Sequence, residues 1–490
     1  MQILAIISII FPIIAGIILF TLKLRNFRLR NALYLTVILI TSALILTTVL
    51  YSIFVEPVDV TLVTFSSFLG ISFRIDTASA IFASIIAVLW PITTLYAFSY
   101  MEHEHARNRF YSFFTMSFGV VCGIAFAKDL FTLYLFYELM TLTTLPLVMH
   151  ENDEKAKSAG KKYLIFSMIG ASLIFIVLVF FINFGTTLNF AYGGIMDPVK
   201  ILGFNNMIQV MAVLGFFGFG VKAAIFPFHS WLPSASVAPT PVTALLHAVA
   251  VVKAGAFGVM RVLYFCFGTD KLFDTPAQYI MIIFASITII YGSATAFRCP
   301  HFKRRLAYST ISNLSYILLG FAILSPMGLT GGILHMIFHA VIKISLFFCA
   351  GAVLVKGKKE YVYELEGLNR KMPLTCTVFT IGSLGLMGIP PLACFISKFV
   401  IGSASAATGT WPGYFGGLAL AVSAVLTVVY LSTCIIRFYF PMKGADLSSL
   451  ERIEPMDKSM GFAMVFVTVA GIVLAFLSGP ITHILERVFS

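Results

Sequence analysis

Apolar runs of 20 residues and longer, separated by short polar turns, dominate the chain. At roughly 20 residues per bilayer crossing, this pattern predicts about 14 transmembrane helices. They fall at 3–22, 32–53, 77–100, 110–127, 130–150, 163–184, 206–228, 240–264, 278–297, 307–325, 328–355, 373–407 (interrupted), 414–436 and 459–478. A membrane barrel would instead show alternating segments of about ten residues. The stretch from Glu56 to Asp76 breaks the pattern: it alternates polar and apolar residues and holds Gly70, which predicts a short hairpin outside the membrane.

Composition narrows the class. Of 490 residues, 59% are hydrophobic and 11% charged, against about 25% charged in soluble domains. So few charges cannot cover a soluble surface, and disordered chains are polar and charge-rich. The fold class expected is an all-α polytopic membrane protein. The net charge of +12 acquires meaning from its distribution, because Lys and Arg are held on the cytoplasmic side of membrane proteins. With the N-terminus outside, the inside loops 23–30, 101–109, 151–162, 298–305, 356–371 and 437–458 hold 23 of the 33 basic residues. Arg74, Lys128, Lys200, Lys271 and Arg487 fall outside, and Lys222, Lys253, Arg261, Lys343 and Lys398 fall within spans. That asymmetry predicts an even number of helices with both termini outside, and gives no reason to propose a nucleic-acid partner. The N-terminus lacks a basic leader region and reads as an uncleaved first span. Seven scattered cysteines, with no CxxC and no Cys/His cluster, argue against a disulfide framework and against an iron–sulfur or zinc site.

Two spans are broken. Pro227, Pro233, Pro239 and Pro241 cluster after Lys222, and Pro390 and Pro391 precede Lys398. Proline removes a backbone donor and clashes with the preceding turn. Inside a bilayer the freed groups are tolerated only where protein or a water-filled cavity covers them. Broken helices at matching places in two halves point to an inverted repeat and a midplane ion path. The alternative is a pair of ordinary proline kinks; a buried lysine beside each break favours the ion path.

A charge at the bilayer centre costs about 2.5–3.5 kcal/mol by insertion scales, so each one is a functional candidate. Glu138 is the one acid deep in a span, and Lys222, Lys253, Lys343 and Lys398 are the lysines. In general, desolvation weakens a lysine's hold on its proton and a nearby carboxylate restores it. Moving the carboxylate therefore switches the proton on or off, which is what a gated carrier needs. Arginine does not lose its proton in proteins. A structural Glu138–Lys222 pair is the bland alternative. For Lys343, close to the inside end of its helix, and for Arg261, close to the outside end, it is snorkelling to the interface. His335, His339 and Lys343 follow at steps of four and share one helix face. The histidines show no HExxH pattern and no third ligand nearby, so a relay is preferred to a metal. His247 precedes Lys253 by six residues, about 600° of helix rotation, so water or a neighbouring helix must connect them. His229 flanks the first break and could pass protons inward.

At these residues the sequence resembles the antiporter-like membrane subunits shared by respiratory complex I, Mrp-type Na+/H+ antiporters and membrane-bound hydrogenases. The matching stretches are Phe-Tyr-Glu-Leu-Met-Thr around Glu138, Val221–Pro233 around Lys222, Ala238–Gly255 up to Lys253, Phe302–Ser312, and His335–Lys343. The resemblance implies two inverted five-helix repeats within 110–264 and 278–440, preceded by an N-terminal unit over 1–109 and followed by a last helix over 459–490. It implies Glu138 and Lys222 as the gating pair of the first half-channel, Lys253 as the central link and Lys398 facing the exit. Some paralogues carry glutamate at the last position. With about 12 residues after the last predicted span, the long lateral helix of the largest paralogue is not expected, and the resemblance is to the medium-sized MrpD-type and hydrogenase-type members. The resemblance implies other membrane subunits as partners and no redox cofactor or metal on this chain.

The expectation is therefore a subunit of a prokaryotic cytoplasmic membrane complex. It would move H+ along Glu138, Lys222, Lys253, His335, His339 and Lys398, with His229, His247 and Lys343 in support. Coupling would be to Na+ exchange or to redox chemistry in partner subunits. A stand-alone secondary transporter of a small solute shares the broken helices, but it needs only one or two charges. A quinone or redox enzyme is disfavoured by the lack of Cys or His ligand sets.

Overall fold

The structure is a computed structural model that describes residues 1–22, 26–66, 68–442 and 447–489. Lys23, Arg25 and Lys443, counted above among the loop charges, lie outside the described residues. The chain runs through α1 (Gln2–Thr21), α2 (Phe27–Phe54), a hairpin of β1 (Val58–Thr64) and β2 (Gly70–Ile75), α3 (Thr77–Tyr100), α4 (Arg107–Phe126), α5 (Leu130–Val148), α6 (Glu154–Phe184) and α7 (Asn205–Gly220). After an irregular stretch come the single turn α8 (Trp231–Ser234), α9 (Thr240–Ala248), α10 (Val251–Met260) and a π-helical turn over Arg261–Phe267. The second half holds α11 (Pro276–Arg298), α12 (Phe302–Ala322), α13 (Pro326–Gly357), α14 (Pro373–Met387), α15 (Ala393–Ala407), α16 (Trp411–Tyr439), α17 (Lys458–Phe476) and α18 (Ser478–Phe489). Among the described residues, 11 helices are long and apolar enough to cross a membrane, counting Thr240–Phe267 as one. Helices dominate because a helix satisfies its own backbone where no water can.

Polar side chains mark where the spans begin. Asp76 accepts from Ser79 N at 2.9 Å, Asp129 from Thr132 N at 2.7 Å, and Asp153 from Ala156 N at 2.7 Å. Each satisfies a donor that the first helical turn leaves orphaned. The hairpin packs at one end of the bundle: Lys128 pairs with Asp59 at 2.8 Å, and Ser72 donates to Asp129 at 2.6 Å. At the opposite, basic end, Lys356 pairs with Asp457 at 3.0 Å and Glu454 at 3.6 Å, and Arg437 bonds Glu366.

The packing inverts the habit of soluble proteins. Large apolar side chains such as Ile3, Leu50, Met168, Leu418, Val425 and Phe476 are exposed on outward faces, while lysines and histidines lie inside. α13 is the central post, packed against α3, α9, α12, α14, α15, α17 and α18. Several basic residues assigned above to loops are in fact buried. Lys303 donates to the Ala238 carbonyl at 2.6 Å, and Arg305 donates to the Tyr430 carbonyl at 3.0 Å and to Thr433 Oγ1 at 2.7 Å. Arg261 does not snorkel. It is wholly buried and grips Asp76 through two bonds of 2.6 and 2.7 Å, with Ser79 Oγ at 2.9 Å. That clasp ties the π-helical turn to the start of α3.

Beyond the two predicted breaks lies a third, at Val249–Ala250, so the eighth predicted span is α9 followed by α10. Gly255 on α10 explains how the irregular stretch fits against it. A Cβ there would stand 2.6 Å from Ala223 N and 2.7 Å from Phe219 O. Those are backbone atoms that cannot rotate away, so α10 must shift to accept any side chain. Alanine's better helix propensity, worth about 1 kcal/mol, opposes an overpacking cost of about 1–3 kcal/mol. Gly255→Ala is therefore expected to lower, and Gly255→Val to lower further, the thermal midpoint of the purified protein. An unchanged midpoint in both would mean that α10 and the break are not in backbone contact.

Candidate functional site

The first break lies at the end of α7. Its loose backbone groups are met locally: Trp231 Nε1 donates to the Val221 carbonyl at 2.8 Å, and Phe226 N donates to Thr288 Oγ1 at 3.0 Å. This leaves Lys222 wholly buried at the turn. Its Nζ donates to the Tyr137 carbonyl and stands 3.4 Å from the centroid of the Tyr137 ring. A desolvated cation–π contact of this kind is worth about 2 kcal/mol. Burying an ammonium costs several kcal/mol, so the ring and carbonyl do not offset it alone. Glu138 is the next residue along α5. Glu138 and Lys222 form no direct ion pair, and Glu138 Oε1 is buried without a hydrogen-bond partner. The sequence places them as a pair; in the structure Tyr137 makes the direct contact with the lysine.

Lys253 lies just past the third break and is wholly buried. Its Nζ meets His339 Nδ1 on α13 at 2.6 Å, which joins the first half of the chain to the second. The His339 and His335 rings stack with centroids 5.8 Å apart, as their shared helix face requires. His335 Nδ1 is 2.9 Å from Ser397 Oγ, and its Nε2 is 3.3 Å from Asn313 Oδ1. Ser397 precedes Lys398, whose Nζ takes the Leu386 and Met387 carbonyls at 2.7 and 3.0 Å. Those carbonyls are left open where α14 ends at Gly388, in the left-handed conformation at φ 83°. The negative end of a helix favours a cation, so the second break makes the lysine's seat.

Lys343 is wholly buried and does not snorkel. Its Nζ donates to Ser309 Oγ at 2.8 Å, and Tyr430 donates to the same oxygen at 2.7 Å. From Tyr430 the hydroxyls continue to Thr427 at 3.3 Å, while Ser423 bonds Tyr316 at 2.5 Å and also Ser293. The Tyr316 ring faces His335 at 5.3 Å and the Lys398 ammonium at 5.5 Å. None of these hydroxyls stood out in the sequence, because Ser, Thr and Tyr are common in membrane helices and only tertiary contact aligns them. His247 reaches no lysine directly: Ser236 Oγ is 3.5 Å from Nε2, and Phe347 packs on the ring. His229 is off the string, packed between Phe226 and Tyr291.

Comparison with known proteins places the chain. The family described as NADH:quinone oxidoreductase/Mrp antiporter, TM, matches residues 127–427. The NADH-Ubiquinone oxidoreductase (complex I), chain 5 N-terminus, matches residues 62–111. The NADH-quinone oxidoreductase subunit N of Desulforudis audaxviator is 31% identical over 389 residues, 77% of this chain and 75% of that one. A Na(+)/H(+) antiporter subunit of Alkalihalophilus pseudofirmus is 28% identical over 83% of this chain and 52% of its own length. Among solved structures, a chain of the Mrp complex from Dietzia sp. superposes with a TM-score of 0.83 at 25% identity, over 99% of this chain and 52% of that one. A chain of an archaeal membrane-bound sulfane sulfur reductase shares the fold, with a TM-score of 0.86 at 24% identity over 100% of this chain and 97% of that one. With residues 127–427, more than half of its length, matched by the family, the chain belongs to the membrane subunits of the NADH:quinone oxidoreductase/Mrp antiporter family.

Proposed function

We propose that the chain is a proton-translocating subunit of a multi-subunit membrane complex, with H+ passing along Glu138, Lys222, Lys253, His339, His335 and Lys398. The observation that carries this reading is the 2.6 Å contact between Lys253 and His339. It joins two sets of buried titratable groups, each seated at a broken helix, and a purely structural set would use carboxylates or arginine instead. Lys343 with Ser309 and Tyr430 supplies a branch toward the basic end. The relatives named for antiport and for quinone oxidoreduction support coupling through partner subunits, either to Na+ exchange or to redox chemistry. His247 and His229 act only where water extends the string.

The finer architecture belongs to the same reading. α7 with its unwound continuation, α12, and the pair α14–α15 complete 14 crossings in two inverted five-helix repeats, over 110–264 and 278–440. The basic end faces the cytoplasm of a prokaryotic cell and both termini face outward. Six of the seven cysteines are buried and Cys299 is half-buried, so a Cys299→Ser background gives a clean labelling test. Val199→Cys is expected to react with an impermeant maleimide in intact cells, and Tyr363→Cys only in inside-out vesicles. The reverse pattern would invert the orientation.

The relay itself is tested in the intact complex. Lys222→Ala and Glu138→Ala are each expected to abolish most proton movement, measured as a pH change in vesicles, while assembly persists. Near wild-type transport in both variants would sink the assignment.

A further inference from the structure

The loop joining α3 to α4 and the loop joining α5 to α6 meet at the basic end, and there they bring together four groups that the relay does not use. Glu104, His105 and His150 each offer a ligand atom, and these atoms lie within 4.8 Å of one another. Glu151 adds a carboxylate oxygen 3.9 Å from His105 Nδ1.

The two histidines are fixed by each other's backbone. His105 Nε2 donates to the His150 carbonyl at 3.2 Å, and His150 Nε2 donates to the His105 carbonyl at 3.0 Å. A carbonyl only accepts, so each Nε2 carries a proton, and in the neutral imidazole that leaves the lone pair on Nδ1. Metal-binding histidines are oriented in just this way, with the second ring nitrogen donating to a backbone carbonyl. His150 is fully shielded from solvent, yet its Nδ1 has no hydrogen-bond partner. A buried imidazole nitrogen without a partner is costly unless something occupies its lone pair.

The acids show the same shortage of positive charge. Burial first, and then the facing Glu151 carboxylate, push the Glu104 carboxyl up to about 7. The cations nearby include Arg109, which donates to the His150 carbonyl at 2.5 Å, Lys303, and Arg107, whose Nε donates to the Glu104 carbonyl at 3.1 Å. The hydrogen bonds these cations make among the described residues go to carbonyl oxygens and not to a histidine Nδ1. Two imidazoles and two carboxylates form the donor set that divalent zinc accepts, with softer cations selected by nitrogen and harder ones by oxygen.

We propose that Glu104, His105, His150 and Glu151 form a binding site for a divalent transition metal of the zinc type at the basic end of the protein. Closing on the metal would staple the end of α5, the helix that carries Glu138, to the α3–α4 connection. His105 and Glu151 are partly exposed, so the metal has an entry path. The only local sign of the site along the chain is the run His103-Glu104-His105, because His150 lies 45 positions from His105.

The test uses the chain purified with its partner subunits and stripped of metal by a chelator. Zn2+ is titrated by calorimetry and Co2+ by its visible absorption, which is intense only for tetrahedral coordination. The wild type is expected to bind one more equivalent of Zn2+ than the His105→Ala/His150→Ala variant. Milder Glu104→Gln and His150→Gln variants are expected to weaken that equivalent by about tenfold or more, the scale of losing even an outer-shell partner. Thermal midpoints without metal separate this from misfolding: the variants should match the wild type there, and only the wild type should gain stability when Zn2+ is added. Equal Zn2+ binding by wild type and the double variant would overturn the proposal, and so would wild type that neither binds Co2+ tetrahedrally nor is stabilised by Zn2+.

Discussion

Lys222, Lys253, Lys343 and Lys398 are buried along the middle of the bundle, and the direct partner of each is a carbonyl, an imidazole or a hydroxyl and not a carboxylate. This constraint shapes the rest of the structure. An ammonium taken from water loses several kcal/mol of solvation, and only groups with free lone pairs can return part of it. In a regular helix the carbonyls are already used. The breaks answer this in two ways: α14 stops so that two carbonyls can hold Lys398, and α7 unwinds so that Lys222 can reach the Tyr137 ring and the remaining lone pair of the Tyr137 carbonyl within α5. Lys253 and Lys343 use an imidazole and a hydroxyl from other helices instead. These partners are neutral, and so lack the fixed negative charge with which a carboxylate favours the charged form of a lysine.

Full ion pairs appear at the ends of the bundle. Arg261 with Asp76, Lys128 with Asp59, Lys356 with Asp457 and Arg437 with Glu366 join segments near the membrane surface, where water can reach one partner of each pair. They clamp the helix ends, so the middle can hold charges that are less firmly bound. Arg261 makes the contrast clear: it is as buried as the lysines, but its bidentate bond to Asp76 gives it a permanent partner. The cluster of His105, His150, Glu104 and Glu151 sits at the basic end and is short of positive charge, whereas the buried lysine string is short of negative charge.

Much of this was legible along the chain. Run length fixed the class, loop charges separated the two ends, and the prolines marked two of the three breaks. The pieces that were illegible share a cause. Lys303 and Arg305 read as loop charges because a sequence shows only that they flank an apolar run; their burial depends on α8, α9 and α16 folding over them. The hydroxyls of Ser309, Tyr316, Ser423 and Tyr430 carried no signal because their residue types are unremarkable and their alignment is set by the packing of two helices, α12 and α16, that are distant in the chain. That Tyr137 and not Glu138 makes the direct contact with Lys222 was likewise illegible, because a sequence marks which charges are buried and not which neighbour meets them.

Residue order alone singles out the groups that must be explained, because an apolar chain cannot carry a charge inside the membrane without a reason. It also dictates the helical class, since lipid leaves the backbone no other way to satisfy itself. Which lone pair each buried charge meets is settled only by folding. Partners such as Lys253 with His339, or His105 with His150, lie 86 and 45 residues apart. No local periodicity encodes a contact between helices that are distant in the chain; it exists only once α13 stands at the centre of the bundle and the others pack around it.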